Sequence, residues 1–125
     1  MLLIASILAL LNWHLLYQRG YLVTRVIDGD TIEVRMNGKL EVVRYILVDA
    51  PELPTRAGKE AKEFNRRMVE GQRVTLVADK QDKDRYGRLL RYVYTGGTFV
   101  NRKLLRSGHA KIMIVRPNVA RLQEL

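Results

Sequence analysis

The 125-residue chain contains no cysteine, only two histidines and only three prolines. Without cysteine there is no disulfide framework, no thiolate zinc site and no cysteine nucleophile. The histidines, His14 and His109, stand far apart and show no metal-ligand spacing, so neither is taken as a site residue. Acid is also scarce, with 13 Asp and Glu against 22 Lys and Arg and a net charge of +9. Such an excess favours polyanionic partners, because Lys and Arg neutralise phosphates and release condensed counterions. It serves solubility or adhesion to anionic lipid equally well, so charge alone names a class of partner and no reaction. A chain this short has room for one compact domain, and no internal repeat, linker or low-complexity segment divides it.

Charge is missing altogether from the first sixteen residues, MLLIASILALLNWHLL. A spanning helix needs about 20 mostly apolar residues, so this run sits at the short limit of a membrane anchor and is also as long as a signal-peptide core. The absence of a basic n-region and of a clean small-x-small cleavage site favours an uncleaved anchor. The other reading is a hydrophobic helix packed on its own domain or on a second copy. Residues 1–19 are therefore expected to be a signal or anchor segment, making the protein membrane-anchored or secreted, and residues 20–125 to be the globular domain.

From Gly20 onward short strands alternate with turns. Residues 21–27 (YLVTRVI) and 31–36 (TIEVRM) are rich in β-branched and aromatic residues and flank the hairpin signal Asp28-Gly29-Asp30. Asn37-Gly38 is a second such signal, followed by a third strand over 39–48. Pro51 and Pro54 break the extended run, and Ala61, Phe64 and Met68 then repeat at helical spacing within an amphipathic helix over 57–69. Strands are predicted at 73–78 and 88–94, and a short helix over 99–106 stops near Gly108. The order βββαββα fits a mainly β fold, a five-stranded OB-type Greek-key barrel preceded by an apolar helix. A mixed α+β sandwich is the alternative.

Three stretches carry candidate chemistry, and each has a plain structural explanation alone. Asp28-Gly29-Asp30-Thr31 is good turn material. In Arg44-Tyr45-Ile46-Leu47-Val48-Asp49-Ala50-Pro51-Glu52, Asp49 suits a turn, and Arg44 and Glu52 suit an ion pair. Asp84-Arg85-Tyr86-Gly87-Arg88 suits a charged loop.

Together, and in this order, they resemble the staphylococcal nuclease family. The resemblance runs from about Val23 to Ala110 and includes VIDGDTIEV, VRYILVDAPE, DRYGRLLRYVY and NRKLLRSGHAK. It implies the OB fold, a Ca²⁺ cofactor and hydrolysis of DNA and RNA to products ending in a 3′-phosphate. Asp30 and Asp49 match the family's calcium-binding carboxylates, the Ala50 carbonyl matches a third ligand, and Asp28 matches a carboxylate that orients metal-bound water. Glu52 matches the general base. Arg44 and Arg88 match the phosphate-binding arginines, where a permanently charged fork of donors grips two phosphoryl oxygens better than an ammonium does. Arg85 and Tyr86 match positions that contact the substrate's terminal phosphate.

Two departures stand out. Where the family places base-stacking tyrosines, this chain reads Lys111-Ile112-Met113-Ile114-Val115-Arg116-Pro117. The family's last helix is cut short over Asn118–Leu125, which leaves three expectations open: a marginal domain, an N-terminal apolar segment recruited as substitute cover, or a truncated chain. The reading is a monomeric Ca²⁺-dependent phosphodiesterase acting on DNA and RNA, with residues 1–16 as its means of membrane association. The competing readings are an OB-fold module that binds nucleic acid or protein without cutting and a membrane-tethered scaffold.

Overall fold

The computed structural model describes residues 2–17 and 19–125; Met1, Gln18 and the side chains of residues 2 and 12–17, His14 among them, lie outside the description. Helix α1 (Leu2–Tyr17) leads into β1 (Tyr21–Asp28), β2 (Thr31–Met36) and β3 (Lys39–Tyr45), an antiparallel meander. Asn37 and Gly38, with φ of 52° and 80°, form the β2–β3 hairpin turn that the Asn-Gly pair predicts. Val23 and Val26 of β1 are both buried although three residues apart, because the register with β2 slips between Val23 and Arg25. A bulge of this kind adds the strand curvature that a small barrel needs.

The third strand is shorter than the sequence suggests. It ends at Tyr45, and the chain turns at Ile46-Leu47, where Leu47 adopts a φ of 65°, before the two-residue β4 (Val48–Asp49) pairs with β8 (Lys111–Ile112). Helix α2 (Arg56–Val69) is capped by Thr55, whose hydroxyl accepts from the Gly58 amide at 3.1 Å. Its buried face carries Ala61, Asn65 and Val69, while Phe64 and Met68 pack at its margin. Strands β5 (Arg73–Val77) and β6 (Leu89–Thr95) follow, then β7 (Thr98–Phe99) and α3 (Val100–Arg106).

β1 pairs with β5, β5 with β6, and β6 runs parallel to β3, so the five longer strands close into an OB-type barrel. The expected fold class is thereby established, and the sandwich alternative is set aside. Val23, Ile32, Val34, Val43, Tyr45, Val74 and Val93 fill the interior.

The C-terminal segment does not leave the barrel bare. Val119, Leu122 and Leu125 cover a second cluster of Ile46, Leu47, Tyr92 and Phe99, and residues 122–124 form a single 3₁₀ turn. Asn118 exchanges two hydrogen bonds with the Gln81 backbone at 2.8 and 2.9 Å. Asp79 accepts from the Tyr92 hydroxyl at 2.6 Å and from the Ala120 amide at 3.0 Å. Among the described residues of the N-terminal segment, Leu3, Ile4, Ile7, Leu8, Leu10 and Leu11 are all exposed and give the barrel no substitute cover.

The Asp79–Tyr92 pair makes the strap sensitive to pH. Burial opposes ionisation of Asp79, but the Tyr92 hydroxyl and the Ala120 and Lys80 amides outweigh it and hold the carboxyl below its ordinary 3.8. Burial and the Asp79 carboxylate push Tyr92 up to about 12. A depressed carboxyl contributes stability that is present above 3.8 and lost as pH falls through the folded value. A raised phenol contributes stability present below pH 10 that is lost as pH rises to about 12. In urea titrations, the stability gap between the wild type and Tyr92→Phe is therefore expected to narrow between these alkaline values. A gap that stays constant there would show that the phenol proton plays no part.

Candidate active site

The turn between β1 and β2 places its carboxylates by close packing. Gly29 does not have the positive φ expected of a turn glycine. Instead, a Cβ there would lie 2.6 Å from the Ala50 Cβ and 2.7 Å from the Ala61 Cβ, so its bare Cα lets α2 and residue 50 close on the turn. Asp30 is buried, and its Oδ2 accepts from the Ala50 amide at 2.8 Å while its Oδ1 accepts from the Thr31 hydroxyl at 2.9 Å. Asp28 Oδ1 accepts from the Asp30 amide at 3.0 Å. Asn65 fixes the base of the turn, donating to the Asp28 carbonyl at 3.0 Å and accepting from the buried Tyr45 hydroxyl at 2.8 Å. That double role explains an asparagine on the buried face of α2.

Arg44, at the end of β3, connects the two carboxylates. Its Nη2 lies 3.3 Å from Asp30 Oδ2 and 3.7 Å from Asp49 Oδ1. Its Nη1 donates to the carbonyls of Tyr45 at 2.8 Å and Val48 at 2.6 Å. The left-handed kink at Leu47 thus wraps the chain around the guanidinium. Arg44 does not pair with Glu52, the simple ion pair the sequence allowed. Burial pushes the Asp30 carboxyl up to about 6 against the pull of Arg44 and the Ala50 amide, and the neighbouring Asp28 adds to the rise.

Arg88 reaches the same place from the loop before β6. Asp84 organises that loop, accepting from the Tyr86 and Arg88 amides at 3.0 Å each and from Arg88 Nε at 2.7 Å. Burial opposes ionisation of Asp84, but these donors outweigh it and keep the carboxyl below its usual range. The terminal nitrogens of Arg88 have no hydrogen-bond partner among the described residues. Arg85 donates to the Tyr86 hydroxyl at 2.6 Å, and both Arg85 and Arg88 lie over the Tyr86 ring, at 4.8 and 5.3 Å.

Arg44, Arg85, Tyr86 and Arg88 line one cleft of about 420 Å³, walled by Leu47, Leu90, Met113 and Val115. Asp49, Ala50 and Glu52 line a second cleft of about 450 Å³ together with His109 and Lys111. Asp49 joins the two clefts, since it also contacts Arg44. Glu52 is exposed, and its carbonyl is held by Thr55. At Gly58 a Cβ would meet the Pro51 carbonyl at 3.0 Å and that of Glu52 closer still.

Sequence reasoning missed Asp84, Asn65 and Tyr45 as the residues that orient this group. Asp84 was legible as a carboxylate four residues before an arginine, whereas Asn65 gave no signal. His109, left out of the site, stacks on Phe64 at 4.5 Å and borders the cleft of Glu52.

Among the described residues no three Asp, Glu or His side chains are gathered for a metal. What the chain offers is Asp30, Asp49 and the Ala50 carbonyl, an all-oxygen set beside Arg44. Such a set suits a hard divalent cation that keeps water and substrate in its remaining positions.

Arg44 thus links the carboxylates of Asp30 and Asp49 and shares a cleft with Arg88 on a small OB barrel. A family model described as staphylococcal nuclease homologue matches residues 42–125. The thermonuclease of Staphylococcus hyicus is 47% identical over 107 residues, covering 81% of this chain and 63% of that protein. The thermonuclease of Staphylococcus intermedius is 44% identical over 105 residues (79% and 62%). Endonuclease YncB of Bacillus subtilis is 45% identical over 102 residues (75% and 48%). The chain thus spans between about half and just under two thirds of these relatives, and it belongs to the staphylococcal nuclease family.

Proposed function

We propose that the protein is a calcium-dependent nuclease that hydrolyses phosphodiester bonds of DNA and RNA. The observation that carries this reading is the meeting of Arg44 and Arg88 in one cleft, with Arg44 also touching Asp30 and Asp49. Relatives named thermonuclease and endonuclease support it.

Asp30, Asp49 and the Ala50 carbonyl would hold the calcium, with Asp28 bracing the turn behind them. When bound, the ion supplies Lewis-acid charge to a phosphoryl oxygen and a site for water. Arg44 and Arg88 bind the non-bridging oxygens, whose charge grows as water adds to phosphorus. Glu52 takes the proton of the attacking water. The new P–O bond forms as the bond to the 5′ oxygen breaks, and that oxygen takes a proton from solvent water as it leaves, giving a 3′-phosphate and a 5′-hydroxyl. Arg85 and Tyr86 hold the terminal phosphate of the strand. Every residue in this scheme lies at or beyond Asp28, so α1 takes no part in it.

Cutting of single-stranded DNA should vanish with excess chelator and return with Ca²⁺, whereas Zn²⁺ should substitute poorly for lack of nitrogen or sulfur ligands. Full activity in chelator would overturn the metal requirement. A chain that binds the oligonucleotide without cutting it would instead be the non-catalytic binding module.

A further inference from the structure

We propose that the barrel end opposite the catalytic cleft is a bilayer-facing surface, on which an arginine-lined cleft takes the phosphate of an anionic lipid headgroup. The length of β1 separates the two ends, and the clefts at them share no lining residue. Asp28–Asp30 follows β1, Arg44 ends β3 and Arg88 precedes β6. The other end holds the start of β1, where Leu22 pairs with both Arg35 and Arg73, and the finish of β6 at Tyr94–Thr95. At about 3.3 Å per residue, the eight residues of β1 place the ends roughly 26 Å apart.

α1 joins the barrel at that second end, through Arg19 and Gly20. No charged residue occurs in α1, and its described side chains from Leu3 to Leu11 lie in solvent, with the large apolar ones 53% to 79% exposed. Six such side chains need an apolar phase. Sixteen helical residues rise about 24 Å, short of the roughly 30 Å hydrocarbon core. Among the described residues no helix is long and apolar enough to cross a membrane.

The charge beside α1 matches an anionic surface. A cleft of about 530 Å³ at its foot is lined by Arg19, Gln72, Arg73 and Tyr94. Exposed Arg35 and Lys39 flank the neighbouring hairpin. Glu70, the acid closest in sequence to the cleft, is turned toward the Val26 amide at 3.4 Å and Arg66 at 3.8 Å. An apolar anchor beside several cations is the pairing that stable attachment to anionic membranes requires.

The test uses the full chain with vesicles of phosphatidylcholine alone or with a minority of phosphatidylserine. Sedimentation should be tighter on the anionic vesicles. Arg19→Ala and Arg73→Ala should each weaken that binding roughly fivefold and leave binding to neutral vesicles unchanged. Arg73 also donates to the Gly20 carbonyl at 3.3 Å, so exposed Arg19 is the variant free of any folding cost. Because the chain has no cysteine, a dye on Gln72→Cys and one on Lys59→Cys report the two ends separately. Lipid-borne quencher should dim the first and spare the second. Equal binding to both vesicle types, quenching at Lys59→Cys, or pairing of chains through α1 without vesicle binding would each overturn the proposal. These readouts do not depend on the nuclease reading. If the chain is a nuclease, the vesicle-bound form should also cut soluble oligonucleotide at the rate of the free form.

Discussion

Glu52→Gln is expected to lower turnover on single-stranded DNA by on the order of 10² to 10⁴, the usual contribution of a general base, with little change in oligonucleotide affinity. Glutamine keeps the size and an accepting oxygen but cannot take a proton from water. The change is structurally mild, since Glu52 is exposed and it is its backbone carbonyl that Thr55 holds. Turnover and the dissociation constant, measured on one oligonucleotide at fixed salt and calcium, separate the two effects. A variant that cuts at the parent rate would remove Glu52 from the role of base.

Arg88→Ala should cost on the order of 10² to 10³ in turnover, the range seen when a preorganised donor to developing charge is removed. The loss should fall more on turnover than on ground-state binding. Arg88→Lys should recover only part of it, because a single ammonium cannot satisfy Asp84 through Nε and present two further nitrogens to phosphate, as the guanidinium does. If Arg88→Ala weakened binding and slowed turnover by the same factor, Arg88 would be a general phosphate clamp. With Glu52→Gln, its effect should be less than multiplicative if both residues serve one transition state.

Much of the barrel was legible from β-branched runs and two turn signals. The features that escaped are those set by distant packing. The break after Tyr45 hides inside an apolar stretch, and only the wrapping of Arg44 by the Tyr45 and Val48 carbonyls explains it. Gly29 reads as a turn glycine, yet its reason is the approach of Ala50 and Ala61. Asn65 sits at a helical core position, and its partners lie 20 and 37 residues away. Asp30, Arg44, Asp49 and Arg88 were picked out together only through the motifs that resemble a known family, whereas Asn65 and Tyr45, which hold the turn in place, gave no such signal. The fastening of the C-terminal segment by Asp79, Gln81 and Tyr92 could not be read from the sequence, because these residues carry no local pattern.

The parallel contact between β3 and β6, three residue pairs from Val43↔Leu89 to Tyr45↔Arg91, is what brings Arg44 beside Arg88. During synthesis the first half of the chain therefore emerges as an incomplete machine, with carboxylates and one arginine but no second grip on phosphate. Only after β6 has left the ribosome can the barrel close, so the two arginines cannot meet in one cleft before that point.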